Sequence, residues 1–439
     1  MYIAMGLNNR KLKMMAIMLM LILVIATNAA QSISYGNNSI PLSRRHRMIR
    51  EAAKVSDKAM EAAYQTLKRV FKEEITEAQV ITVMQQSIIE NGSNPKDPEA
   101  PAFYFTVAAG NDSVIPHGNP ENDPYHVIKP GDVVVIDMGA RYKGYVSDMT
   151  RTFFIGEPTD YQKEIYNIVL ETNKKTTDAV RSFILYRKLE KISREILSGY
   201  GYGDMPHSVS HGLGFIVHAK YPDQSWIGGG YLGSFMPLLP GMVITIEPGI
   251  YLEEEGFGIR IEDDVAVRLF GYELLTHYPK ELEDAIIHCD VPERFDEVSI
   301  GIEPTDIIEL ESDGVTNCFV TVYNPSDMAI EVNVTIDNVP KKWDLDVPST
   351  LLVEAGGKAS ENLRIQAPEG FDGTETIDIS FSYYVSADPY VKGTPSTVSI
   401  TIKSKEDVST HFEYGPVVAF LIVLLFVAIA VILFLKRKN

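Results

Sequence analysis

The chain has 439 residues, an apolar share of 45 % and a formal net charge of −19. That length exceeds one ordinary domain and can bury a sizeable core, while the acidic excess argues against nucleic acid or an anionic lipid surface as a partner. Two cysteines, Cys289 and Cys318, are too few for a disulfide-built fold, and a bridge between them is open only to an exported chain.

Residues 1–30 read as a signal peptide or N-terminal anchor. Arg10, Lys11 and Lys13 precede the apolar run Met14 to Ala26, and Thr27-Asn-Ala-Ala30 offers small residues for cleavage. From Ser43 to Phe71 the stripe Ile49, Ala52, Ala53, Val55, Met60, Ala63, Leu67 and Val70 predicts an amphipathic helix. Thr76 and Gln79 form a capping box that opens a second helix to about Glu90. A loop, 91–101, and a strand, 103–109, follow. His117 then sits in Val114-Ile-Pro-His-Gly-Asn-Pro120, where a lone histidine by itself reads as a surface residue.

Val133 to Ile136 is an apolar run between turn residues, hence a buried strand, and it runs into Asp137. On the next strand Asp148, Thr150 and Thr152 share a face. A hairpin turning at Tyr142-Lys143, beside Gly144, sets Asp137 opposite Asp148, with Cβ atoms roughly 4.5–5.5 Å apart. Helices are predicted over 160–181 and 187–197. Ser210-His-Gly-Leu-Gly-Phe-Ile-Val-His218 comes next, then a long connection with Gly228-Gly-Gly230 and Trp226 that reads equally as a surface loop or a pocket wall. Met242 to Glu247 is a second apolar strand ending in a carboxylate. Pairing it with Gly258 to Val267 places Glu247 opposite Glu262, with Arg260 on the face of Glu262. The two carboxylate pairs with His211 make a ligand set for two hard-to-borderline divalent metals.

Beyond Arg294 the pattern changes. Val332, Val334 and Ile336 alternate with polar residues, as do Ile377, Ile379 and Phe381, and Val398, Ile400 and Ile402. This predicts a β-sandwich over 294–404. Residues 415–435 are apolar without a charge and precede Lys436-Arg-Lys438. They predict a transmembrane helix followed by a basic cytoplasmic tail, 436–439. Sequons at Asn37, Asn91, Asn111 and Asn333 agree with export.

The segments VIDMG, VSDMTRTF, SHGLG, IEPG and GIRIED resemble the pita-bread metallopeptidases, which include methionine aminopeptidase, aminopeptidase P and prolidase. The resemblance covers about Ser43 to Leu282. It implies a pita-bread domain over 43–285. With the sandwich read from strand alternation, which looks like immunoglobulin-like modules, and the C-terminal helix read from its apolar run, the expected architecture is α+β. The resemblance also implies two divalent metal ions held by Asp137, Asp148, His211, Glu247 and Glu262, with Asp148 and Glu262 bridging. Manganese fits this oxygen-rich set, with cobalt, iron or zinc as alternatives. The same resemblance gives Glu247 a proton-transfer role. It gives His218 and His117 contacts with the substrate or its developing oxyanion, and it gives Arg260 the task of orienting Glu262 or nearby ligands.

PHGNP, TRTFFIGEP and LTHYPKEL look more like the Xaa-Pro peptidases than methionine aminopeptidase. Departures are Ala219 after His218, Ser210 before His211, and the missing amino-terminal domain of prolidases. That last departure leaves dipeptide restriction and homodimerisation open. The expectation is an enzyme at the cell membrane, with its catalytic domain outside the cytoplasm. It hydrolyses the bond between an N-terminal residue and a following proline in a peptide substrate. The alternatives are an aminopeptidase of other specificity and a non-catalytic surface peptide-binding protein.

Overall fold

The computed structural model describes residues 42–93, 102–118, 126–218, 237–304, 307–311, 313–337 and 339–404. The segments read as an export signal, 1–30, as a membrane helix with its tail, 415–439, and most of the long connection, 219–236, lie outside the described residues. The membrane placement is corrected: no helix among the described residues is long and apolar enough to cross a membrane. The longest, α1 (Leu42–Leu67), buries one stripe and carries charges such as Arg47, Lys54 and Glu61 on its other side. The cell-membrane location outside the cytoplasm is therefore not retained.

The predicted stripe of α1, from Ile49 to Leu67, is buried throughout. It packs with α2 (Glu77–Glu90), whose capping box forms as expected: the Gln79 N–H donates to Thr76 Oγ1 (3.3 Å) and the Thr76 N–H to Gln79 Oε1 (2.8 Å). Both helices cover a sheet that begins with β1 (Thr106–Ala109) and β2 (Val133–Met138), their apolar sides meeting Val134, Ile136 and Phe153. The chain then turns through β3 (Arg141–Tyr142) and β4 (Tyr145–Val146) into β5 (Met149–Ile155). Lys143 and Gly144 have φ of 50° and 87°, the pair of positive values that a two-residue type I′ hairpin demands. Glycine must occupy the second of these positions, so the turn falls one residue later than expected. Asp137 therefore faces Thr150 instead of Asp148. Because the pairing shifts by two residues, Asp148 stays on the expected face.

A second pair of helices, α3 (Asp160–Asp178) and α4 (Tyr186–Gly199), covers the second half, Ile165, Ile168 and Val169 meeting Ile244, Ile246, Ile259 and Ile261. Here β6 (Val243–Ile246), β7 (Gly249–Leu252), β8 (Phe257–Arg260), β9 (Asp263–Val267) and β10 (Tyr272–Leu274) follow in order. Ile246 faces Asp263 in one ladder and Gly249 faces Arg260 in the other. The two ladders share one register, so Glu247 and Glu262, between them, face each other as expected. The short strand β11 (Ile286–Ile287) returns to the first sheet beside β5.

The remaining elements form two further sheets. One runs β12 (Ser299–Glu303), β14 (Val315–Tyr323), β18 (Lys358–Gln366), β16 (Asp344–Asp346). The other runs β13 (Ile308–Glu309), β21 (Ser396–Lys403), β19 (Thr374–Val385), β15 (Ile330–Asp337), β17 (Thr350–Val353), with β20 (Asp388–Lys392) on β19. The alternating residues Val320, Val332, Leu363, Ile379, Phe381 and Ile400 share one core between them. Cys289 and Cys318 lie in that core, buried and unbridged. Its contact with the preceding part of the fold is built from Phe71, the Lys72–Asp327 pair (3.0 Å) and the His288–Asp388 pair (3.0 Å).

Candidate metal centre

The site forms where the two hairpins meet back to back. The Glu262 N–H donates to Thr150 O (3.1 Å), and the Arg260 N–H donates to Thr152 Oγ1 (3.0 Å). Arg151, 2 % exposed, secures the seam: its guanidinium donates to Glu262 O (2.7 Å), Asp263 Oδ1 (2.9 Å) and Tyr278 O (2.7 Å). Burial alone would raise the Asp263 pKa, but Arg151 and Lys280 pull it down to about 2. The segment 209–213 lies antiparallel on the edge of β6. The Leu213, Thr245 and Glu247 N–H groups donate to Val243 O, His211 O and Val209 O at 2.8–2.9 Å. This carries His211 to the seam.

His211 Nε2 lies 3.3 Å from Asp148 Oδ2, 3.5 Å from Glu247 Oε1 and 3.8 Å from Glu262 Oε1. Asp148, His211 and Glu262 offer donor atoms within 4.8 Å of one another. Asp137 joins from the side through Arg260 Nη2, which donates to its Oδ2 (2.8 Å). Arg260 therefore orients Asp137, while Glu262 is held by the Thr150 hydroxyl (2.8 Å). The His218 ring lies 4.2 Å from that of His211. His117 is exposed beside Pro116, whose carbonyl accepts from Arg260 Nη1 (2.6 Å).

Burial, then Glu262 and Asp137, push the Asp148 carboxyl well above the usual range. Burial and Glu262 do the same to Glu247, and burial with Asp137 raises Glu262 to about 7. So much crowded carboxylate calls for a cation. Asp137 Oδ1, Asp148 Oδ1 and Glu262 Oε1 are buried with no hydrogen-bond partner. Three orphaned carboxylate oxygens beside an imidazole nitrogen fit a divalent metal ion.

The profile of metallopeptidase family M24 matches residues 47–268. The chain belongs to this family. A Xaa-Pro dipeptidase of Pyrococcus horikoshii is 40 % identical over 237 residues, covering 54 % of this M24 chain and 62 % of the relative. An uncharacterized peptidase of Staphylococcus aureus is 40 % identical over 233 residues, covering 53 % and 61 %. The chain thus spans about three fifths of the length of these curated relatives. Among solved structures, the prolidase from Pyrococcus horikoshii OT3 aligns with 38 % identity over 54 % of this chain and 63 % of its own, with a TM-score of 0.47.

Sequence reasoning missed three residues at this M24 centre. His207 Nε2 meets Tyr251 OH (2.9 Å), and its Nδ1 lies 3.7 Å from Glu247 Oε2. Tyr251 OH in turn accepts from Arg260 Nη1 (2.8 Å). The tyrosine ring crosses Gly249 and Gly258, where any Cβ would fall within 3 Å of it. Both Asp264 carboxylate oxygens lie 3.2 Å from the Asp148 N–H. Parity was the available signal: Tyr251 lies an even number of residues from Glu247, Asp264 from Glu262 and His207 from His211, the rule that had singled out Arg260.

Proposed function

We propose that this M24 chain is a dinuclear-metal peptidase that hydrolyses the bond between an N-terminal residue and a following proline. The observation that carries the proposal is the buried carboxylate–imidazole cluster with its orphaned oxygens, together with the likeness to a Xaa-Pro dipeptidase. Asp137, Asp148, His211, Glu247 and Glu262 would hold the metals, manganese fitting the set best. When bound, the metals supply Lewis acidity and hydroxide-generating power at neutral pH. Glu247, with one oxygen toward His211 and the other toward His207, accepts the proton of the attacking water and delivers it to the leaving nitrogen. His218 and His117 contact the peptide on either side of the scissile bond. Arg260 keeps Asp137 aimed through its Nη2 hydrogen bond. Residues 43–285 form the peptidase unit, and 294–404 form an immunoglobulin-like spacer fixed to it.

The test is turnover by the protein stripped of metal and reloaded with manganese. Xaa-Pro dipeptides, longer Xaa-Pro peptides and Met-Ala peptides are compared, with Glu247→Gln as control. Cleavage before proline, falling at least about 100-fold in the variant, is expected. Cleavage of Met-Ala peptides alone, or metal uptake without any turnover, would overturn it.

A further inference from the structure

Beside the metal centre lies a cavity of about 380 Å³. One wall is all of β7, from Gly249 to Leu252, and the other is the turn Gly201–Asp204 with Ser198 at the end of α4. Successive side chains of a strand point to opposite faces, so a cavity touching four in a row faces the strand's edge. That edge is unpaired: β7 joins β8 on one side and no strand on the other among the described residues. We infer that the free edge of β7 is a groove for the extended main chain of the substrate beyond the scissile bond, so that the enzyme acts on peptides longer than dipeptides. The inference rests on the proposed peptidase reading and names its substrate class.

Three further observations support it. The groove starts at Gly249, two residues past Glu247, and a four-residue strand offers about 13 Å of main-chain donors and acceptors, a match for about four peptide residues. Its outer wall is preformed. Arg194 donates to Gly203 O (3.2 Å), Met205 O (3.1 Å) and His207 O (3.2 Å), and Glu190 accepts the Val209 N–H (2.9 Å). Gly201, at φ +94°, has nothing within 4 Å of where its Cβ would be, which leaves room for a backbone. Finally, Tyr251 belongs both to the groove and, through Arg260 and His207, to the metal centre. Asp204 brings a negative charge to the lining, so basic residues are favoured downstream and acidic ones disfavoured.

Binding is measured by fluorescence anisotropy on metal-free protein, which does not turn the peptide over. The probe is Ala-Pro-Ala-Ala-Ala with a C-terminal fluorophore, alongside the same peptide N-methylated at its third and fourth residues. N-methylation, or Ser198→Trp filling the exposed rim of the groove, should weaken binding about tenfold, as expected when strand-addition hydrogen bonds are lost. Equal Kd values for all three combinations, or no binding of the parent peptide, would overturn the groove. Turnover by manganese-loaded protein separates this from the underlying reading. Groove binding without cleavage sinks the peptidase proposal alone, and cleavage with unaltered binding by the methylated peptide sinks the groove alone.

Discussion

At the residue scale, buried charge is tolerated where hydrogen bonds complete it. Arg260 and Arg151 are each 2 % exposed, yet the guanidinium of each is spread over three or more acceptors. The orphaned oxygens of Asp137, Asp148 and Glu262 are the exception, and they mark where a ligand is owed. His46 shows the neutral alternative. Its Nε2 meets Gly241 O (2.9 Å) and its Nδ1 meets Arg268 Nη1 (3.1 Å). Burial lowers its pKa below 6.5; the Gly241 carbonyl opposes this, and Arg268, Arg45 and Arg50 add to it. The folded state therefore prefers the neutral ring, and the unfolded chain takes up the extra proton first. This contribution is present above about pH 6.5 and is lost as the pH falls through the lowered value. Denaturation midpoints should decline from pH 7 to 5 more steeply in the native protein than in His46→Gln. Parallel curves would refute this.

At the element scale, a glycine sets how closely the two strands of the first hairpin approach. Gly139 stands opposite Asp148 in the register of the first hairpin, and a Cβ there would lie 2.1 Å from Ser147 O and 2.9 Å from the Phe103 ring. Neither backbone nor a packed aromatic can yield that distance. Gly139→Ala should cost about 3 kcal/mol in urea unfolding and reduce manganese uptake measured by calorimetry, because Asp148 moves with its strand. A variant of native stability and full metal stoichiometry would show that this approach is not required.

At the scale of the whole molecule, the two-sheet unit is joined to the catalytic half through shared burial. Phe71 packs against the cores of both. Asp388, fully buried, accepts from the Cys289 N–H (3.0 Å), the Tyr390 N–H (3.2 Å) and His288, whose ring stacks on Tyr390 at 4.0 Å. Asp388→Ala strands buried donors at the junction, at about 1–3 kcal/mol. Scanning calorimetry should then resolve two transitions in place of one. An unchanged thermogram would show that the halves are not coupled there.

What the sequence determined by itself was everything governed by short periods. The stripe of α1, the capping box of α2 and the strand parities that put Asp137, Asp148, Glu247 and Glu262 on inward faces all depend on neighbours a few residues away. The second hairpin's register was legible too, because apolar runs on both sides of Glu247 and Glu262 specify it. Tertiary structure decided the rest. The turn at Lys143-Gly144 moved the partner of Asp137 to Thr150, since backbone φ rather than midpoint counting places a type I′ turn. Arg260 chose Asp137, 123 positions away, over its strand neighbour Glu262. The chain from Arg260 through Tyr251 to His207, and the open edge of β7, exist only once two hairpins and a loop are folded together. No local pattern records which groups such distant segments bring within hydrogen-bond reach.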